Sequence, residues 1–271
     1  MITFRATATK LTPALLCFPS PEVVKKGSNY MNIAMYVIRE LYDAIHDCRT
    51  KCQIGSCNSD DAVHALDEAV AFYYGTEDVL MHALANKRCA NFGTCSNGVD
   101  GDADVNVNVF ELFGKMQGYL EKADCDAAEP LVEDIAQQMW VPLVQGTLRY
   151  AWIQDSTNNE AAAPDEKAAA EGAIFAAAIL PVVHDCNEDA AKTIYDNMSL
   201  KASSSVDYPA VKSAFEQCYG KMGISCDAVG GLVDSSGDAL DSQTKACSAA
   251  SAVAVGSFIG ASILGVVALL V

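Results

Sequence analysis

Chemistry is read first from Asp67 to Thr76, D-E-A-V-A-F-Y-Y-G-T, where two adjacent carboxylates precede two tyrosines and the run closes on a glycine. On a helix Asp67 and Tyr74 stand two turns apart and His64 and Glu68 one turn apart, so each pair shares a face. Carboxylates and phenolates are hard anionic oxygen donors suited to a hard cation, and His64 adds one imidazole. The plainer reading of the same residues makes Tyr73 and Tyr74 core packing and Asp67 and Glu68 a solvated face. The choice between them depends on the elements that carry the stretch and on what the rest of the chain brings to it.

Those elements are helices. Met31, Ala34, Met35, Ile38, Leu41, Ala44 and Ile45 recur at three and four and predict an amphipathic helix over Asn29 to Cys48. Asp60 and Asp61 suit the amino end of the helix that carries the opening motif. A further helix over Val79 to Leu84 is expected to end at Lys87-Arg88-Cys89, with its basic residues satisfying the dipole in the last turn. Val109 to Leu120 and Leu131 to Met139 follow, and Pro142 predicts a kink or break before Val144 to Ile153. Gln154 to Lys167 reads as a linker, and Ala168 to Val183 as a helix apolar nearly all round, hence buried. Helices near Asp189 to Asn197 and Pro209 to Lys221 complete the body. The Gly/Asp/Asn run that holds D-G-D-A-D lacks the twelve-residue calcium-loop pattern and reads as a solvated loop. No strand alternation is found, so the expected fold class is all-α.

Composition narrows the setting. With 35 acidic against 18 basic residues the net charge is -17, which repels phosphate backbones and argues against nucleic-acid binding. The 11 cysteines include no zinc-type spacing, so they read as disulfides of an oxidising compartment. Cys48, Cys52 and Cys57 lie close enough for a local bridge, as do Cys218 and Cys226. If the segment holding Cys17 and the tail holding Cys247 are both removed, nine cysteines remain and one lacks a partner. Asn197-Met198-Ser199 is a glycosylation sequon consistent with secretion.

Two ordered matches suggest an internal duplication with halves near 29 to 126 and 138 to 227. Glu68-Ala-Val-Ala-Phe72 matches Glu171-Gly-Ala-Ile-Phe175, and Phe110 to Met116 matches Phe215 to Met222 with one inserted residue. A weaker match sets Arg39-x-x-Tyr42 against Arg149-x-x-Trp152. Glu68 and Glu171 would then be equivalent carboxylates on buried helices, each needing a partner. Residues 1 to 27 form a weak signal-like or truncated segment, residues 28 to 230 the body, and 231 to 247 a polar spacer. Ser248 to Val271 is an uncharged apolar run of 24 residues, long enough to span a bilayer as a C-terminal apolar helix. Ser235-Ser236-Gly237, the spacer and the run suit a glycolipid-anchor signal, and a retained single-pass helix is the alternative. Either places the body at the extracellular face of the plasma membrane or in the periplasmic space.

Asn32 to Cys48, Asp67 to Thr76, Leu84-Ala-Asn-Lys-Arg-Cys-Ala-Asn-Phe-Gly-Thr-Cys95, Val141-Pro-Leu-Val-Gln-Gly-Thr-Leu-Arg-Tyr150 and Glu171-Gly-Ala-Ile-Phe-Ala-Ala-Ala-Ile-Leu-Pro181 together resemble the iron-assimilating proteins of algae. That family includes low-iron-inducible periplasmic proteins and the membrane-anchored phytotransferrins. The resemblance covers residues 28 to 230. It implies capture of ferric iron at the cell surface under scarcity, with carbonate as a co-bound anion and a reductase or uptake system as the downstream partner. The matching motifs hold Asp67, Glu68, Tyr73, Tyr74, Tyr150 and Glu171 as candidate iron ligands, with His64 added from its spacing. Arg149 offers the planar fork that suits an anion. Two competing functions are a metal-dependent enzyme such as a ferroxidase and a structural cell-surface protein. The enzyme reading lacks any recognisable catalytic motif, so the chain is read as a binder.

Overall fold

The computed structural model describes residues 21–53, 55–57, 61–76, 80–98, 101–158, 166–200 and 206–247. The apolar tail from 248, most of the signal-like segment and much of the expected linker lie outside these residues. The fold is all-α and disulfide-bonded, and among the described residues only isolated bridges interrupt the helices.

Helix α1 (Pro21–Gly27) runs through a π-helical turn (Ser28–Ile33) into α2 (Ala34–Lys51). Ala34, Val37, Leu41, Ala44, Ile45 and Cys48 are the buried face of α2, the stripe that its three-and-four spacing predicts. Helix α3 (Asp61–Tyr74) lies along α2, and α4 (Met81–Phe92) and α5 (Asp104–Leu120) pack beside it.

Helix α6 (Cys125–Gln154) is the central element, a single helix of 30 residues. It begins at Asp124, whose side chain accepts from the Ala127 amide, and it touches α2, α4, α5, α7 and α9. Of the kink or break expected at Pro142, the break does not occur, and the helix runs through it. A proline removes one ladder hydrogen bond, but every residue from Val141 to Leu148 is buried, so packing on all sides holds the helix together.

Helix α7 (Glu166–Cys186) packs on α6, with α1 and α8 (Glu188–Met198) against it. It is the one described helix long and apolar enough to cross a membrane, yet 50% of that stretch is buried inside the fold. Two glycines let α6 and α7 close. A Cβ at Gly146 would stand 2.4 Å from the Phe175 ring, and one at Gly172 would stand 2.9 Å from the Tyr150 Cβ. Helix α9 (Tyr208–Glu216) and a short α10 (Cys226–Val229) follow.

Among the described residues five disulfides join this frame. Cys48–Cys125 ties the end of α2 to the start of α6 across 77 residues, worth about 4–5 kcal/mol of chain entropy alone. Cys52–Cys57 is the expected local bridge, and Cys89–Cys95 staples the end of α4. Cys218 pairs with Cys186 rather than with Cys226, because α7 and α9 bring those two ends together. Cys226 pairs instead with Cys247. The stretch expected to be a polar spacer therefore belongs to the folded body: Leu232 and Thr244 are buried, and the Leu232 amide donates to the Thr244 carbonyl at 2.9 Å.

Candidate metal and anion site

The expected ligands fall into two groups. On α3, His64, Asp67 and Glu68 are exposed, and His64 Nε2 lies 3.1 Å from Glu68 Oε1. His64 and Glu68 line a groove of about 300 Å3 with Glu40, Asp43 and Asp47 of α2 and Asp61. Burial, then the charges of Glu68 and Asp43, push the Glu40 carboxyl up. The groove draws cations electrostatically, but among the described residues no three His, Cys, Asp or Glu side chains converge to hold a metal ion.

The two tyrosines of the opening motif part company. Tyr73 is fully buried, its hydroxyl donates to Asn106 Oδ1 at 2.6 Å, and Asn106 Nδ2 donates to the His82 carbonyl and to Asn86 Oδ1. Burial raises its phenol far above the ordinary tyrosine range, so Tyr73 is a strut between α3, α4 and α5. Tyr74 is 57% exposed, with its ring 4.8 Å from that of His82. Successive helical residues point about 100° apart, so neighbouring tyrosines cannot both turn to one ion as the motif suggested.

The second group assembles. Tyr150, near the end of α6, donates its hydroxyl to Glu171 of α7, whose residue exposure is only 7%. The Phe175 ring lies between those of Tyr150 and Tyr30, 5.8 Å from the first and 4.8 Å from the second, nearly parallel to both. Tyr30 reaches this position from the π-helical turn, a local widening of the kind that gathers at functional sites, and Lys26 Nζ donates to its hydroxyl at 3.1 Å. Arg149 lies 6.0 Å from the centroid of the Tyr150 ring, and Arg88 of α4 lies 6.0 Å from that centroid and 5.8 Å from that of Phe175.

The electrostatics of this pocket are unbalanced. Among the described residues, Arg88 Nε and Nη1 and Arg149 Nε are buried and meet no hydrogen-bond acceptor, although the Arg88 side chain also bonds Tyr150. Burial pushes the Arg88 guanidinium down, with Arg149 adding to it and Tyr150 and Tyr30 opposing. Tyr150 is pushed up to about 12, first by burial and then by its bond to Glu171 and that residue's charge. Among the described residues, two guanidiniums thus lie over the ring of the tyrosine that binds Glu171, with buried nitrogens left without acceptors.

No protein-family model matches this chain, and no curated protein or solved structure matches it either. Tyr150, Glu171 and Arg149 were named from sequence, and the structure brings them together. Arg88 and Tyr30 were not. The sequence places Arg88 as a cation at a helix end, but α4 continues to Phe92, which sets Arg88 inside the helix. Tyr30 has no sequence signal beyond its place in the amphipathic run. Glu68 and Glu171, paired by the apparent duplication, occupy unlike places, the first exposed and the second buried.

Proposed function

We propose that this protein is a cell-surface ferric-iron-binding protein that concentrates iron for uptake under iron limitation and holds carbonate as a co-bound anion. The observation that carries the reading is the pair of guanidiniums with three buried, unpartnered nitrogens beside the Tyr150–Glu171 hydrogen bond. Guanidinium forks match a planar oxyanion, and an anion between Arg88 and Arg149 would supply the missing acceptors. A ferric ion then displaces the phenolic proton and takes phenolate and carboxylate oxygen, the hard donors it favours. The resemblance to the algal iron-assimilating proteins points to ferric iron as the cargo, and the five disulfides among the described residues suit an oxidising exterior. Anchorage through the C-terminal apolar run and hand-over to a reductase or uptake partner complete the proposal.

The test is a titration of the whole oxidatively folded chain with ferric nitrilotriacetate, with and without bicarbonate, followed by the visible phenolate-to-iron band. A saturable, bicarbonate-dependent band that Arg88→Gln weakens is the expected result. No band and no iron retained after desalting would reject the proposal.

A further inference from the structure

Helices α4 and α6, which carry Arg88 and Arg149, pack against each other, and one buried side chain of α6 reaches the turn that follows α4. Gln145 is 1% exposed and sits one turn before Arg149 on α6. Its Nε2 donates to Thr94 Oγ1 at 3.1 Å and to the Val229 carbonyl at 2.8 Å. Thr94 directly follows the left-handed Gly93 that ends α4, and its amide returns to the carbonyl of Cys89, the neighbour of Arg88. Val229 opens the segment closed by Cys226–Cys247, and that segment presses on the same end of α4. The Val233 amide donates to the Asn91 carbonyl at 2.9 Å, and a Cβ on Gly230 would lie 2.2 Å from the Phe92 carbonyl oxygen.

A helix held mainly by apolar packing can slide or roll by fractions of an ångström at little cost, whereas a hydrogen bond to a buried donor fixes both. Two guanidiniums that share one small anion tolerate little such drift. We infer that Gln145 is a positioning residue for the arginine pair, and that the 230–247 segment is its outer brace. The inference rests on the proposed iron and oxyanion reading of the pocket. Without the Gln145 donor, the turn that follows α4 loses its hydrogen bond to α6 and the spacing of Arg88 and Arg149 is held less tightly.

Two whole-chain variants test this. Gln145→Met keeps the volume and removes the donor; Val233→Pro removes the amide that braces Asn91 while also fixing the local backbone, and serves if the first fails to fold. The probes are ferric nitrilotriacetate and bicarbonate, and the readouts are the wavelength of the phenolate-to-iron band, the bicarbonate half-saturation and the melting temperature. With helicity retained, the half-saturation should rise about tenfold while the band at saturating bicarbonate keeps its wavelength, because the ligands to iron are untouched. A lowered melting temperature with half-saturation within about twofold of wild type would make both residues merely structural and overturn the inference. Wild-type protein that shows no band and keeps no iron rejects the proposed function itself, a result distinct from the variant effect.

Discussion

Tyr150 and Glu171 meet across the α6–α7 interface, the phenol donating to the carboxylate, one residue from the glycine that lets the two helices approach. The contact joins two residues 21 apart in the chain, and both guanidiniums of the pocket lie beside it.

If Tyr150 is the phenolate ligand, Tyr150→Phe abolishes the visible iron band while leaving the fold in place. Glu171→Gln keeps a band but weakens iron retention by about 10- to 100-fold, the range seen when a neutral group replaces a ligand or its support. Equilibrium dialysis against a ferric chelator checks both.

The raised phenol also sets an alkaline limit for the metal-free protein. Tyr150 rises from an ordinary 10.0 to about 12, so the folded state favours its neutral form. That contribution is complete below pH 10 and is lost as the pH climbs from 10 toward 12. Thermal melts across this window should show the loss, and Tyr150→Phe should make it shallower. Tyr73, Tyr208 and Tyr219, raised by burial as well, keep some slope in the variant.

Gly172→Ala should be costly despite its small size. The added methyl would meet the Tyr150 Cβ at 2.9 Å and the flexible end of Met198 at 2.7 Å, and only the latter can swing aside. A loss of about 1–3 kcal/mol by denaturant unfolding is expected, together with weaker iron binding as α6 and α7 are forced apart.

Replacing Asp67 and Glu68 together with alanine should leave iron retention and helicity unchanged. Both are exposed on α3, and Glu68 lines the groove between α2 and α3, where Lys51 already pairs with Asp47 and Asp61 and Arg39 with Asp43. A drop in iron affinity in this double variant would return the site to the opening motif.

The Asn197 sequon should carry no glycan in secreted protein, as peptide mass spectrometry would show. Its Nδ2 donates to the Thr193 carbonyl at 2.9 Å and its Oδ1 accepts from the Asp207 amide at 2.8 Å, while the next residue, Met198, is buried. Asn197→Ala is expected to cost about 1 kcal/mol through the two lost bonds.

Helix positions were legible wherever one face is apolar, because burial repeats every three to four residues and leaves its mark on local sequence. Residues 34 to 48 show this, as does the all-round apolar α7. The opening motif is divided for a local reason. Adjacent tyrosines on one helix are sent in different directions, and spacing along the chain says nothing about which side the core will take. Tyr73 went inward to Asn106, and Tyr74 went to the surface.

From its sequence alone this chain is an all-α, acidic, disulfide-rich protein with Arg149, Tyr150 and Glu171 as candidates, since periodicity, charge and cysteine usage are local or additive properties. The tertiary structure alone decided that Arg88 joins them, that Tyr30 closes the aromatic stack, and that Cys247 ties residues 230–247 into the body. Those three facts depend on contacts between distant segments, set by how closely α6 and α7 pack and by where α4 ends, and such contacts follow only once the whole core has formed.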